Sequence, residues 1–445
     1  MSFMFNPYPY DDPNAFNVLD PSGLPLSELV EGSGASAAAE AAKAAGALKR
    51  AEGWVIAVDG YSTAPLDTFR NLLEQQLALL GIPVTVMAVE ELWQEEETLS
   101  ERLAAENLQE DLEKDPVLLY GKLFSGSYED LWDLKKLAAA KAALASFREA
   151  GSGVLILWGY GALCDTLRPL CDQKIYLDTT PMRAMLRLKR GEYRNIGTKK
   201  ALAFKRMARR CYYVDFEVAA KLRFTLLHEK QLDSYVIAND ALSMSLLPAS
   251  LLEGIFARAM EYPLRCKPVY LEGVWGGYYI QRLRGLPREM KNCAWVFDMI
   301  PMEVSVVFEL NGRKLEFPLY AGSEPGAKAD GKAERRCLRI LFPVRFNYDD
   351  TYHSNGNMSI QCHPGEKYVT ENNGELGRQD ESYYIVETGQ GARTYLGFQK
   401  DADVEEFIAE ARRFGKRTAS RWIIRNMFTA SSQRPGTQVM IPAGT

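Results

Sequence analysis

The chain has 445 residues, more than one ordinary domain holds, and 47% hydrophobic with 11% aromatic residues is a composition that fills globular cores. A net charge of −5 and a pI near 5.6 exclude a general nucleic-acid binder, which carries a basic face. No apolar run is long enough to span a bilayer, and Met1-Ser-Phe-Met-Phe-Asn-Pro7 has neither a basic flank nor a signal-type apolar stretch, so a cytoplasmic location without a membrane partner is expected.

Residues 1–32 are rich in Pro, Asn, Asp and Gly and lack periodicity, which predicts an irregular arm. Residues 35–51 are Ala-rich and predict a helix, so 1–50 form an N-terminal appendage. From Trp54 the pattern becomes apolar strands alternating with helices. Strands are predicted at 54–59, 84–89, 154–158 and 174–178, with helices from about Leu66 to Leu80 and from about Tyr128 to Ala150. That alternation predicts a parallel α/β sheet over residues 51–262.

After Tyr262 the pattern changes. Val304–Leu310 and Arg313–Phe317 flank Asn311-Gly312, the pair that suits a type I′ hairpin turn because both central residues need positive φ. Strand-like runs follow at 338–346, 382–388 and 393–398, with a helix from about Val404 to Phe414 and a Gly/Ala-rich loop at Gly322–Lys332. The fold class expected is therefore α/β plus mainly β, the second domain occupying residues 263–445. The seven cysteines, at 164, 171, 211, 266, 293, 337 and 362, form no C-x-x-C pair and predict buried free thiols.

The first βα turn, Val58-Asp-Gly-Tyr-Ser-Thr-Ala-Pro-Leu-Asp67, occupies the place of a phosphate loop. A working loop needs glycines, a lysine and a Ser/Thr for magnesium. Gly60, Ser62 and Thr63 are present, but no lysine lies between Gly60 and Leu80, and Pro65 removes a backbone donor. Eleven basic residues from Arg183 to Arg210 would suit either a phosphate-binding lid or a solvated helical face.

The densest chemistry lies in Ser359-Ile-Gln-Cys-His-Pro-Gly365 and Asp380-Glu-Ser-Tyr-Tyr-Ile385. On a strand, Gln361 and His363 would share a face and Cys362 would point the other way as a packing residue. With Glu381 they offer a carbonyl oxygen, an imidazole nitrogen and a carboxylate, a donor set for zinc that could leave a position open for substrate. His363 is one of three histidines, with His228 and His353.

Together with Tyr270-Leu-Glu-Gly-Val-Trp-Gly-Gly277, Phe342-Pro-Val-Arg-Phe346 and Val439-Met-Ile-Pro-Ala-Gly-Thr445, these motifs resemble, in order and spacing, the type I mannose-6-phosphate isomerases, which are zinc cupins. The resemblance covers roughly residues 263–445. It implies zinc held by Gln361, His363 and Glu381, a sugar-phosphate substrate contacted by Ser359 and Arg378, and conversion of mannose 6-phosphate to fructose 6-phosphate. Gly377-Arg-Gln-Asp-Glu381 departs from the family's Gly-Lys-Thr-Glu, with Arg378 or Gln379 in place of its lysine. The family's remaining metal ligand and catalytic arginine would lie beyond Thr445, so the cupin is expected to be incomplete and the 445 residues to have little activity alone. Residues 50–230 loosely resemble the uridine-kinase branch of P-loop kinases with a degenerate loop. Two other functions stay open: a non-catalytic sugar- or nucleotide-binding regulator, and a small-molecule kinase.

Overall fold

The computed structural model describes residues 5–46, 53–113, 115, 117–300, 303–319, 345–354, 356–375, 377–389, 391–414 and 428–444. The Gly322–Lys332 loop, Cys337 and most of the expected strand at 338–346 lie outside these residues. The chain is a mixed α/β protein in two compact units: Met1–Glu272 with Trp295–Tyr348, and Gly273–Ala294 with Asp349–Thr445.

The first unit opens with an irregular arm that contributes the short strand β1 (Asn17–Val18), followed by α1 (Gly34–Gly46). The elements that follow are β2 (Trp54–Gly60), α2 (Leu66–Leu79), β3 (Val84–Ala88), α3 (Glu96–Glu106), α4 (Leu134–Ala150), β4 (Val154–Trp158) and β5 (Gln173–Asp178). Then come α5 (Pro181–Arg190), α6 (Phe204–Arg210), α7 (Phe216–His228), β6 (Ser234–Ile237), β7 (Ser245–Pro248) and α8 (Ala249–Ala259).

Six of these strands form one sheet in the order β3-β4-β2-β5-β6-β7. All its pairings are parallel except β6–β7. The expected parallel neighbours at 54–59 and 154–158 are therefore adjacent, from Trp54 opposite Val154 to Val58 opposite Trp158. Strand β2 is apolar from Trp54 to Val58 because both its faces are covered. Val55 and Ala57 belong to one core cluster, Ile56 and Val58 to another that includes α1 and α2 residues.

Helix α4 starts six residues later than the apolar pattern suggested. Asp133 is its N-cap, its carboxylate accepting from the backbone N–H groups of Lys135 (2.8 Å) and Lys136 (3.1 Å). Gly151 ends it in the left-handed region, φ 72°.

The unit continues with β8 (Cys266–Lys267), β9 (Val269–Leu271), β10 (Trp295–Met299), β11 (Ser305–Leu310), β12 (Arg313–Pro318) and β13 (Phe346–Asp349), whose last residue falls in the second unit. Strands β11 and β12 are the expected hairpin, and Asn311 and Gly312 take φ 52° and 78°. The hairpin packs with the α/β part of the chain. Phe317 packs tilted against Tyr235 and edge-on against Phe256, and Asn239 donates to the Glu316 carbonyl. β1 adds to β11 in parallel.

The second unit contains α9 (Tyr279–Leu283), α10 (Glu366–Asn373), β14 (Glu381–Tyr384), β15 (Arg393–Phe398), α11 (Val404–Phe414), β16 (Phe428–Ser432) and β17 (Gln438–Ile441). Its strands make two antiparallel ribbons, β14–β17 and β15–β16. The Trp275-Gly-Gly277 motif is a close-approach turn here. The Asp350 carboxylate accepts from the N–H groups of Ile280 (2.7 Å) and Tyr352 (2.9 Å). A Cβ on Gly277 would lie 2.1 Å from that carboxylate, which is why only glycine fits.

Candidate functional sites

Two places combine the chemistry singled out in the sequence. The first is the turn after β2, at the carboxyl edge of the large sheet where open α/β proteins bind ligands. Gly60 to Ala64 are all buried. The Gly60 N–H donates to its neighbour's Asp59 carboxylate (2.7 Å). Tyr61 N–H donates to the Leu177 carbonyl, Ala64 N–H to Tyr61 and Leu66 N–H to Ala64. Thr63 N–H donates to the Tyr160 hydroxyl (3.1 Å). A phosphate loop presents such donors to its ligand, whereas this turn satisfies them within the protein.

Around the turn lie four buried ionic side chains, Asp59, Asp178, Arg187 and Arg223. Asp59 accepts from three backbone N–H groups, of Gly60, Gly161 and Leu163, yet burial outweighs them and pushes its carboxyl up to about 7. Arg223 pairs with Asp178 at 3.0 Å, and its guanidinium lies 4.4 Å from the Tyr61 ring centre. Arg187 is 5% exposed and donates to the carbonyls of Thr63, Ala238 and Asn239 and to the Thr179 hydroxyl.

Most of the basic segment is occupied in the same way. Arg183 pairs with Asp11, Arg190 with Glu192, Arg194 with Glu90 and Arg206 with Glu110. Arg209 and Arg210 are buried against backbone carbonyls. Lys199, Lys200 and Lys205 are exposed. The segment is thus mainly a structural element, and a sequence pattern of charge alone does not reveal that most of its partners are carboxylates and carbonyls distant in the chain.

The second place is in the Gly273–Ala294 and Asp349–Thr445 unit. His363 and Glu381 come together, imidazole Nε2 to carboxylate Oε2 at 3.6 Å. Two ligands of one tetrahedral zinc, each about 2.1 Å from it, would sit about 3.4 Å apart, so this pair matches a shared ion. His363 Nδ1 is buried without a hydrogen-bond partner. Strand β14 aligns Glu381 opposite Ile441. Just beyond, Gly444 N–H donates to the His363 carbonyl (2.6 Å) and Ala443 N–H to the Asp380 carboxylate (2.9 Å). That hydrogen bond and Arg378 hold the Asp380 carboxyl below its usual range. Tyr383 lies two residues along β14 from Glu381 and is half-buried. Burial and the carboxylates of Glu381 and Asp349 push its phenol up.

The other expected residues are placed differently. Residues 357–365 are irregular, not a strand. Alternation therefore does not apply to them, and Cys362 is exposed instead of packed. Gln361 is exposed and its amide donates to the Ser359 hydroxyl at 3.0 Å. Arg378 is exposed and pairs with Asp380 at 3.2 Å. Among the described residues no group of three or more His, Cys, Asp and Glu side chains is arranged to hold a metal ion. The pair alone fits zinc, and Gln361 would have to leave Ser359 to join it. Tyr383 was not singled out from sequence, although its position two residues after Glu381 on a strand was the available signal. Cys164, Cys171, Cys211 and Cys293 are buried free thiols.

A family model described as a domain of unknown function, DUF8485, matches residues 34–260. The chain belongs to that family. It is also 24% identical over 190 residues to the mannose-6-phosphate isomerase of Streptococcus mutans serotype c, across 42% of this chain and 54% of that protein. The chain thus spans about half the length of the curated relative it matches. Two solved structures are similar at low identity. A possible uridine kinase from Bacillus stearothermophilus matches with 19% identity and a TM-score of 0.23 over 34% of this chain and 83% of that one. The mannose 6-phosphate isomerase from Bacillus subtilis matches with 18% identity and a TM-score of 0.26 over 40% of this chain and 52% of that one. Among the described residues no helix is long and apolar enough to cross a membrane.

Proposed function

We propose that the chain belongs to a metal-dependent aldose–ketose isomerase acting on a sugar phosphate, with mannose 6-phosphate and fructose 6-phosphate as the pair interconverted. The observation that carries this is the His363–Glu381 pair at 3.6 Å, in a chain distantly similar to a mannose-6-phosphate isomerase. Zinc would be held by His363 and Glu381, with Gln361 as a third ligand. When bound, the metal would polarise the substrate's oxygens. Ser359, Arg378 and their neighbours would contact the phosphate. Residues 263–445 would be the cupin-type catalytic domain, and 51–262 a kinase-like domain that no longer binds nucleotide.

The test is a coupled isomerase assay with mannose 6-phosphate, with and without zinc. It is run on the 445-residue chain. Zinc-dependent turnover that disappears in Glu381→Ala supports the proposal. Zinc binding without turnover would favour the second reading, a non-catalytic sugar-responsive regulator, in which the internally bonded turn at 60–66 likewise does no phosphoryl transfer.

A further inference from the structure

We propose that Arg183 and Lys267 form a binding site for a small carboxylic acid anion, and that the chain's own Asp11 occupies this site in the structure. The Asp11 carboxylate is held by both cations at once, Oδ1 by the Lys267 ammonium at 2.5 Å and Oδ2 by the Arg183 guanidinium at 2.6 Å. Burial opposes its charge, yet Lys267 and Arg183 keep its carboxyl below the usual range, so the place favours an anion. The two cations stand on regular elements, α5 and β8, whereas Asp11 lies in the irregular arm.

The Asp11 carboxylate is replaceable. The Lys267 side chain is only 7% exposed and needs a counterion in any state, and Glu316 supplies one at 3.0 Å. The Ser305 hydroxyl fixes that carboxylate in turn at 2.6 Å. The Asp11 side chain is 47% exposed, so it can turn to solvent with its backbone in place. Arg183 Nε is buried without a hydrogen-bond partner, which leaves this guanidinium a further donor for a carboxylate oxygen.

A cavity of about 210 Å³ opens beside this carboxylate, between the arm and the β11–β12 hairpin. Its walls join Lys267 to the apolar surfaces of Ala15, Phe16 and Val307, which suit a short hydrocarbon body. Asp12 and Glu316 also line it. An incoming anion would meet their charges, so it enters only in exchange for the Asp11 charge, and a dianion such as phosphate is disfavoured. Asp11 is thus an internal competitor. Its side chain is a tethered acetate group, and the fraction of time it is seated lowers the affinity for a free acid.

The test is equilibrium dialysis of radiolabelled butyrate, at fixed pH and ionic strength, with inorganic phosphate and unlabelled butyrate as competitors. It uses the 445-residue chain and its Asp11→Ala, Asp11→Ala/Arg183→Gln and Asp11→Ala/Lys267→Met variants, each checked for folding by circular dichroism and thermal melting. Asp11→Ala is expected to bind one butyrate roughly 10-fold or more tighter than the wild type. Adding Arg183→Gln or Lys267→Met should remove that gain. Equal affinity of the wild type and Asp11→Ala would overturn the competition by Asp11. No saturable binding by folded Asp11→Ala, or binding indifferent to Arg183→Gln, would overturn the site. Arg183 is 32% exposed, so its variant gives that readout even if Lys267→Met does not fold. Phosphate displacing the label more strongly than butyrate does would overturn the carboxylate assignment.

Discussion

The turn after β2 and the His363–Glu381 pair are both polar constellations at places where ligands bind, and they differ in how their groups are satisfied. In the turn, the backbone donors of Gly60, Tyr61, Thr63, Ala64 and Leu66 all have protein acceptors, and the nearby Arg187 and Arg223 are buried among fixed partners. A ligand there would have to displace bonds already made. At the second place, two donor atoms face each other at 3.6 Å and a buried imidazole nitrogen has no partner. A cation there would add interactions instead of exchanging them. The difference lies in the backbone donors: those named in the turn are bonded internally, although the Thr63 hydroxyl there, like the His363 Nδ1, has no partner.

The sharpest way to break this comparison is to remove one charge from each place. Arg223→Ala leaves the Asp178 carboxylate in the core with only the Tyr235 hydroxyl and the Thr179 N–H as partners. A loss of about 3–5 kcal/mol is expected in denaturant unfolding. His363→Ala, whose side chain is 17% exposed and has no close hydrogen-bond partner at Nδ1, is expected to change metal-free stability by about 1 kcal/mol or less. Equal losses from the two variants would show that the second place is also a structural core.

A slightly smaller effect concerns pH. The Asp59 carboxyl titrates at about 7 in the fold against an ordinary 3.8, so the folded state favours its protonated form. Its contribution to stability is complete below about pH 4 and is lost as pH rises through 7, up to about 4 kcal/mol for a three-unit difference. Burial raises Asp215 in the same direction, so the informative quantity is the difference between wild type and Asp59→Asn across pH 4–8. That difference should vary with pH, and parallel curves would contradict the assignment.

Metal binding sharpens the other side. Zinc affinity should fall by more than about 100-fold in His363→Ala, roughly 2.7 kcal/mol, because a direct ligand is lost. Restoring a lysine in the turn, as Ala64→Lys, should not create magnesium-dependent ATP binding in calorimetry, since the surrounding amides remain bonded internally. The smallest effect is expected at the hairpin. Gly312→Ala places a side chain at φ 78°, and a loss of about 1 kcal/mol in thermal unfolding is expected.

The amino-acid sequence by itself determined the elements with strong local signals. Alternation of apolar strands and helices located the parallel pair at 54–60 and 154–158 and the helix α2 after the first strand, and Asn311-Gly312 located the hairpin. These elements are legible because period and turn chemistry are local properties of the backbone. Sequence also singled out His363 and Glu381, through motif order. Only the tertiary structure decided that 357–365 is irregular, which turned Cys362 outward and Gln361 toward Ser359. Only it showed that Arg187, Arg209 and Arg210 are buried against carbonyls, that the hairpin packs with the α/β part of the chain, and that His363 and Glu381 meet at 3.6 Å. Each of these depends on partners distant in sequence or on a backbone path without periodicity, and neither has a local pattern to read.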